Sequence, residues 1–72
     1  MEFGANLREL RESAKMTQAE LAEKIGVTRA LIAQYELGSK SPTVPVAARI
    51  AQIFGVTIDR IANGEEGERE KA

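Results

Sequence analysis

An all-α fold is predicted by three features of this 72-residue chain. Leu, Ala, Glu, Lys, Gln and Arg, all good helix formers, dominate the composition. No window sustains the period-two alternation of a half-buried strand. Gly and Pro punctuate the chain, and the short β-branched runs lie beside them as turns.

The first helix is predicted over residues 2–15. Phe3, Leu7, Leu10 and Ala14 recur there at i, i+4, i+7 and i+11, one face of a 3.6-residue period. The second has an explicit start: in Thr17-Gln18-Ala19-Glu20 the hydroxyl can accept from the Glu20 amide while the carboxylate reaches back to Thr17. Leu21, Ala22 and Ile25 form its buried face, and Gly26 ends it by taking the left-handed conformation. The third runs from a cap at Thr28 to about Leu37, where Gly38 stops it. After the loop Gly38-Ser39-Lys40-Ser41-Pro42, Thr43 caps a fourth helix with Pro45 in its first turn, where a missing N–H costs little. Its inward stripe is Val44, Ala47, Ile50, Ala51 and Phe54, and Gly55 ends it. Thr57 caps a short fifth helix through Ile58, Ile61 and Ala62, closed by Asn63-Gly64. The triplet Gly-Val-Thr occurs at 26–28 and again at 55–57, each time as helix stop, apolar plug and helix cap.

Two helices of about eight residues, joined by about three residues that include a Gly, have the layout of a helix-turn-helix. In the window that opens at Gln18, each residue type has a reason. Ala22 lets two helices cross closely, Gly26 tolerates positive φ, and Leu21, Ile25, Val27 and Ile32 plug the interior. Tyr35 is larger than the aliphatic residue usual at its position. Leu31 is predicted to point away from the core, towards a sugar-phosphate edge or a partner.

Composition excludes several classes. With no Cys and no His, the chain has no disulfide framework, no thiolate metal site and no imidazole base. No metal, cofactor or catalytic residue is expected. No apolar run nears the about 20 residues of a membrane span, and Met1-Glu2-Phe3-Gly4 lacks the basic and apolar regions of a secretory signal, so a cytoplasmic location is expected. The net charge of −1 runs against a nucleic-acid binder. Residues 63–72 carry four carboxylates and two cations, however, and this net of −2 leaves residues 1–62 at +1. Residues 65–72 are expected to be a disordered acidic tail behind a domain at 1–64.

The run Thr17-Gln18-Ala19-Glu20-Leu21-Ala22-Glu23-Lys24-Ile25-Gly26-Val27-Thr28, followed by Tyr35-Glu36-Leu37-Gly38 and Pro42, resembles the phage-repressor and Cro-like helix-turn-helix family. Phe54-Gly55-Val56-Thr57-Ile58-Asp59 is similar to the family's junction between helices four and five. The resemblance spans about residues 3–62. It implies a five-helix, lambda-repressor-like domain that binds double-stranded DNA through helices two and three. By the same resemblance, Gln18 matches a phosphate contact at a helix N-terminus, where free N–H groups attract anions. Thr28, Arg29, Ala30, Ala33 and Gln34 match the groove-facing side of the recognition helix, and Lys40 and Ser41 lie near backbone contacts. Arg11 and Glu36 match a pair that in some members forms an ion pair between the first and third helices.

The chemistry of these residues fits the roles. Arg29 can fork onto guanine O6 and N7, Gln34 onto adenine N6 and N7, and Ala30 and Ala33 can touch a thymine methyl. A direct code this thin leaves DNA shape a part in specificity. For Arg29 and Lys40 a phosphate contact or a merely solvated side chain stays open. Ile53, Ile58 and Arg60 form a candidate dimer seam, although a single exposed Ile is ordinary on any surface. The leading expectation is a homodimeric repressor on an inverted-repeat operator. The alternative is a protein-interaction module of the same fold, such as an antitoxin whose partner is a toxin.

Overall fold

A computed structural model of the chain describes residues 3–63. The expected acidic tail at 65–72 lies outside the described residues. Five helices follow one another: α1 (Phe3–Ser13), α2 (Gln18–Ile25), α3 (Arg29–Leu37), α4 (Val44–Phe54) and α5 (Ile58–Asn63). Among the described residues there is no strand, and no helix is long and apolar enough to cross a membrane.

Each boundary has a local cause. The Thr17 hydroxyl accepts from the Glu20 amide at 3.0 Å, and the Thr17 amide donates to Glu20 Oε1 at 2.8 Å, a closed capping box. Thr28, Thr43 and Thr57 likewise accept from the amides of Leu31, Val46 and Arg60. α2, α3 and α4 stop at Gly26, Gly38 and Gly55, all left-handed. α1 stops the same way without a glycine. Lys15 takes φ 56°, its amide reaches back to Glu12 O and that of Met16 to Arg11 O. The first helix is therefore shorter than its apolar spacing predicts, and Ala14, beyond its last residue, is exposed.

The core is a single cluster of Leu7, Leu21, Ala22, Ile25, Ile32, Tyr35, Ile50, Ala51 and Ile61. Full burial of a Leu or Ile side chain stabilises by about 1.5–3 kcal/mol, and Leu7, Leu21, Ile32, Ile50 and Ile61 are each fully buried. α1 packs on α3 and α5, α2 on α3 and α4, and α4 on α5. Phe3 meets Tyr35 edge to face, with ring centroids 6.2 Å apart, so the large Tyr35 ring has a partner of its own.

Two buried polar or small residues hold α1 in place. Gly4 lies against the last turn of α3. A Cβ added there would stand 2.5 Å from the Tyr35 carbonyl oxygen and 2.6 Å from that of Glu36. Asn6 is buried and donates through Nδ2 to the Ile61 carbonyl at 2.7 Å, satisfying one of the free carbonyls at the end of α5.

Three apolar residues depart from their expected positions. Val44 begins α4 at the rim of a groove and is 74% exposed, while Val46 packs against the core in its place. Leu31 and Ile53 are partly buried against the core rather than turned outward. Ile53 therefore keeps only part of its surface for the expected dimer seam.

Candidate nucleic-acid interface

The first turn of α3 is exposed at Thr28, Arg29 and Ala30, whereas Ile32 and Tyr35 one turn later are buried. The period of the helix causes this split: apolar residues at 32 and 35 face the core and turn 29 and 30 the other way. Ala33 and Gln34 are half-buried, so the exposed face narrows towards the middle of the helix. The Thr28 oxygen accepts from the Leu31 amide at 3.1 Å, which leaves its O–H free to donate.

α2 crosses α3 and brings the start of one helix to the start of the other. Arg29 Nη1 donates to Gln18 Oε1 at 3.1 Å. Gln18 Nε2 donates in turn to Glu36 Oε1 at 3.0 Å. Glu36 also receives Arg11 Nε at 2.7 Å on Oε2 and Arg11 Nη2 at 3.1 Å on Oε1. Arg11 Nη1 donates to the Met16 carbonyl at 2.9 Å. Five residues from three helices and a turn thus form one continuous polar chain. The side chains of Arg11 and Glu36 are only 11% and 6% exposed. The Glu36 carboxylate holds the Arg11 guanidinium protonated, raising its pKa, with burial opposing. A charge-assisted fork of this kind is stronger than a neutral bond.

The loop after α3 is fastened to the same helix. The Gln34 carbonyl accepts from the amides of Ser39 and Lys40 and from the Ser39 hydroxyl. Lys40 and Ser41 are exposed beyond this clasp. Arg8, on the polar face of α1, borders a cleft with Arg11, Gln18, Ala33 and Glu36. It is exposed and pairs with Glu12 one turn along α1 at 3.1 Å. Its only signal in the sequence is its charge, which on an amphipathic helix ordinarily marks a solvated face.

On the other side of Glu36 lies an open groove of about 630 Å³ between the start of α1, the end of α3, the following loop and α5. Leu37, Val44 and Ile58 line it at 82%, 74% and 43% exposure, and they are the exposed large hydrophobic residues among those described. Of the three residues of the expected seam, Ile58 lies here and Ile53 does not. Arg60 is partly buried, and its Nη1 has no hydrogen-bond partner among the described residues.

The helix-turn-helix family profile matches residues 7–61. The HTH-type transcriptional regulator YqaE of Bacillus subtilis (strain 168) is 37% identical over 67 residues, 93% of this chain and 58% of its own length. The HTH-type transcriptional activator BcrR of Enterococcus faecalis is 39% identical over 66 residues, 92% of this chain and 32% of its own. The chain therefore spans less than two thirds of either relative's length. Among solved structures, the P22 c2 repressor protein in complex with a synthetic operator superposes with a TM-score of 0.85 at 23% identity, covering 90% of this chain and 98% of that one. A structure of Fe(II) HppE in complex with substrate matches with a TM-score of 0.76 and 33% identity over 83% of this chain, but over only 34% of its own. The helical unit is what these proteins share.

Proposed function

The chain belongs to the helix-turn-helix family of phage-repressor and Cro type, and we propose that it is a DNA-binding transcriptional regulator that occupies an inverted-repeat operator as a homodimer and represses by that occupancy. The observation that carries this reading is the exposed first turn of α3, Thr28 to Ala30, mounted on a helix whose other face is locked into the core. A helix presented in this way is what a major groove admits.

Each residue then has a task. Arg29 forks onto a guanine, Gln34 onto an adenine, and Ala30 and Ala33 touch thymine methyl groups. Thr28 donates its hydroxyl proton to an acceptor on the DNA. Gln18, at the N-terminus of α2, contacts a phosphate together with Lys40 and Ser41 on the loop. With a net charge of −1, the phosphate contribution is modest, and base contacts and DNA shape carry more of the specificity.

The homodimer reading is supported by the groove lined by Leu37, Val44 and Ile58. A patch that combines a projecting leucine with an apolar hollow can complement a second copy of itself about a two-fold axis. It also adjoins the end of α3 opposite Arg29, so pairing there leaves both reading turns free.

Selection from a random duplex pool at low salt tests the reading. Enrichment of inverted repeats with half-site centres about 10 base pairs apart is expected. A pool that stays unenriched overturns it. Leu37→Glu with Val44→Glu is expected to yield a monomer that binds the full operator much more weakly.

A further inference from the structure

We propose that Glu36, whose side chain is largely covered and remote from the exposed turn of α3, is a positioning residue for base recognition, acting through Gln18 on Arg29. This rests on the DNA-binding reading above and adds to it the cause of Arg29's direction.

The chemistry of the donors and acceptors dictates the order of the chain. A carboxylate can only accept. Glu36, held by the Arg11 fork, therefore turns the nitrogen of the Gln18 amide towards itself, and Nε2 lies 3.0 Å from Glu36 Oε1. That orientation leaves Gln18 presenting its oxygen to position 29. An oxygen there selects a donor, and Arg29 supplies one at 3.1 Å. Were Glu36 a neutral amide, Gln18 would be free to flip. Its NH₂ would then face the guanidinium, donor against donor, and Arg29 would leave. The bond to Gln18 uses one Nη1 proton and leaves Nη2 and the second Nη1 proton to fork onto a base edge. A long, exposed Arg otherwise samples many rotamers, and holding it in one before DNA arrives removes an entropic cost of binding. Gln18 thus has a role towards Arg29 in addition to any phosphate contact.

The two roles separate in a cycle of Gln18→Leu, Arg29→Ala and the double variant. Preference for guanine at one operator position is measured by competition, and thermal melting confirms that each variant folds. The wild-type preference is expected at about 5- to 150-fold. Gln18→Leu should reduce it to about threefold or less, and should add nothing to Arg29→Ala at that position. Glu36→Gln, where it folds, should relax the same position and no other. Loss of affinity by Gln18→Leu for all sequences alike, with the guanine preference intact, would overturn the proposal. A readout without DNA keeps this failure distinct from failure of the DNA-binding reading. By ¹⁵N relaxation at Arg29 Nε in the free protein, Gln18→Leu should increase side-chain mobility. Equal mobility in the two proteins sinks the relay whatever the protein binds.

Discussion

Arg11 and Glu36 meet as fork to fork, with Nε and Nη2 on the two carboxylate oxygens at 2.7 and 3.1 Å, and so tie the last turn of α1 to the last turn of α3. Neither charge has much water left. Removing one partner strands the other in that setting, which typically costs about 3–5 kcal/mol. Glu36→Ala should therefore cost about 3–5 kcal/mol in urea denaturation followed by circular dichroism. Replacing both residues by apolar ones of similar volume, Arg11→Met with Glu36→Leu, should recover most of that loss. A double variant as unstable as Glu36→Ala would show that the bonds to Met16 and Gln18, rather than the stranded charge, dominate.

Gly4 marks the closest approach of α1 to α3. With a Cβ at 2.5–2.6 Å from two backbone carbonyl oxygens, the helices must separate, because no flexible side chain is present to yield. Overpacking of this kind typically costs about 1–3 kcal/mol, and the backbone on both sides puts Gly4→Ala at the upper end. The usual gain in helix propensity from Gly to Ala, about 1 kcal/mol, offsets only part of it. Thermal melting of Gly4→Ala should show a net loss. A gain would mean that the two helices slide apart freely.

The contrast between these residues and the helix caps shows what the sequence makes legible. Thr17, Thr28, Thr43 and Thr57 start helices, and Gly26, Gly38 and Gly55 stop them, through bonds to residues three to five positions away, so the local pattern suffices. Gly4, Asn6 and the Gln18–Arg29 bond depend on partners 11 to 55 positions away and on the angle at which helices cross. Periodicity carries none of that. Val44 misleads because the helical phase is right but α4 starts there, one turn before its face meets the core. Ile53 and Leu31 mislead because a small domain draws partly buried residues from the flanks of each stripe. For the interface, the family pattern supplies residue identities, while the polar chain from Met16 to Arg29 emerges only once α2 lies across α3.

Lys15 occupies a position that glycine usually fills. An L-residue in the left-handed region costs about 1–2 kcal/mol, and Lys15 sits at φ 56° with both return bonds of the helix stop in place. Lys15→Gly relieves that cost but frees the unfolded chain. A net gain of about 0.5–1 kcal/mol is expected, which for a domain of this size is a rise in Tm of about 2–8 °C. An unchanged or lower Tm would indicate that the Lys15 side chain contributes contacts worth as much as the strain.

Burial raises the Tyr35 phenol above its ordinary pKa of 10.0. The folded state therefore holds its proton to higher pH than the unfolded chain does. This contribution to stability is complete below the unfolded value and declines as pH rises from about 10 until the folded phenol titrates. Denaturation of wild type and Tyr35→Phe between pH 8 and 11.5 checks this. The wild type should lose more stability across that range than Tyr35→Phe, the lysines being common to both. Parallel curves would place the hydroxyl in free contact with water.

Arg29 and Lys40 carry the same formal charge and should behave differently on DNA. Arg29 stands on the exposed first turn of α3, aimed by Gln18, and a bidentate contact to guanine is worth about 1–3 kcal/mol of discrimination. Lys40 stands on the loop fastened to the Gln34 carbonyl, and in the proposed role as a phosphate contact it is indifferent to the base. Arg29→Ala should flatten preference at one operator position with the salt dependence changed little. Lys40→Ala should weaken every sequence by a similar factor and reduce the slope of log K against log salt by about 0.9, the value for one phosphate contact. Titrations of both variants on the selected operator and on a single-base variant, between 50 and 200 mM salt, separate the two behaviours (concentrations on the order of those over which phosphate contacts are lost). A salt slope that falls for Arg29→Ala while base preference stays put would reassign Arg29 to the backbone and leave Gln34 as the principal reader.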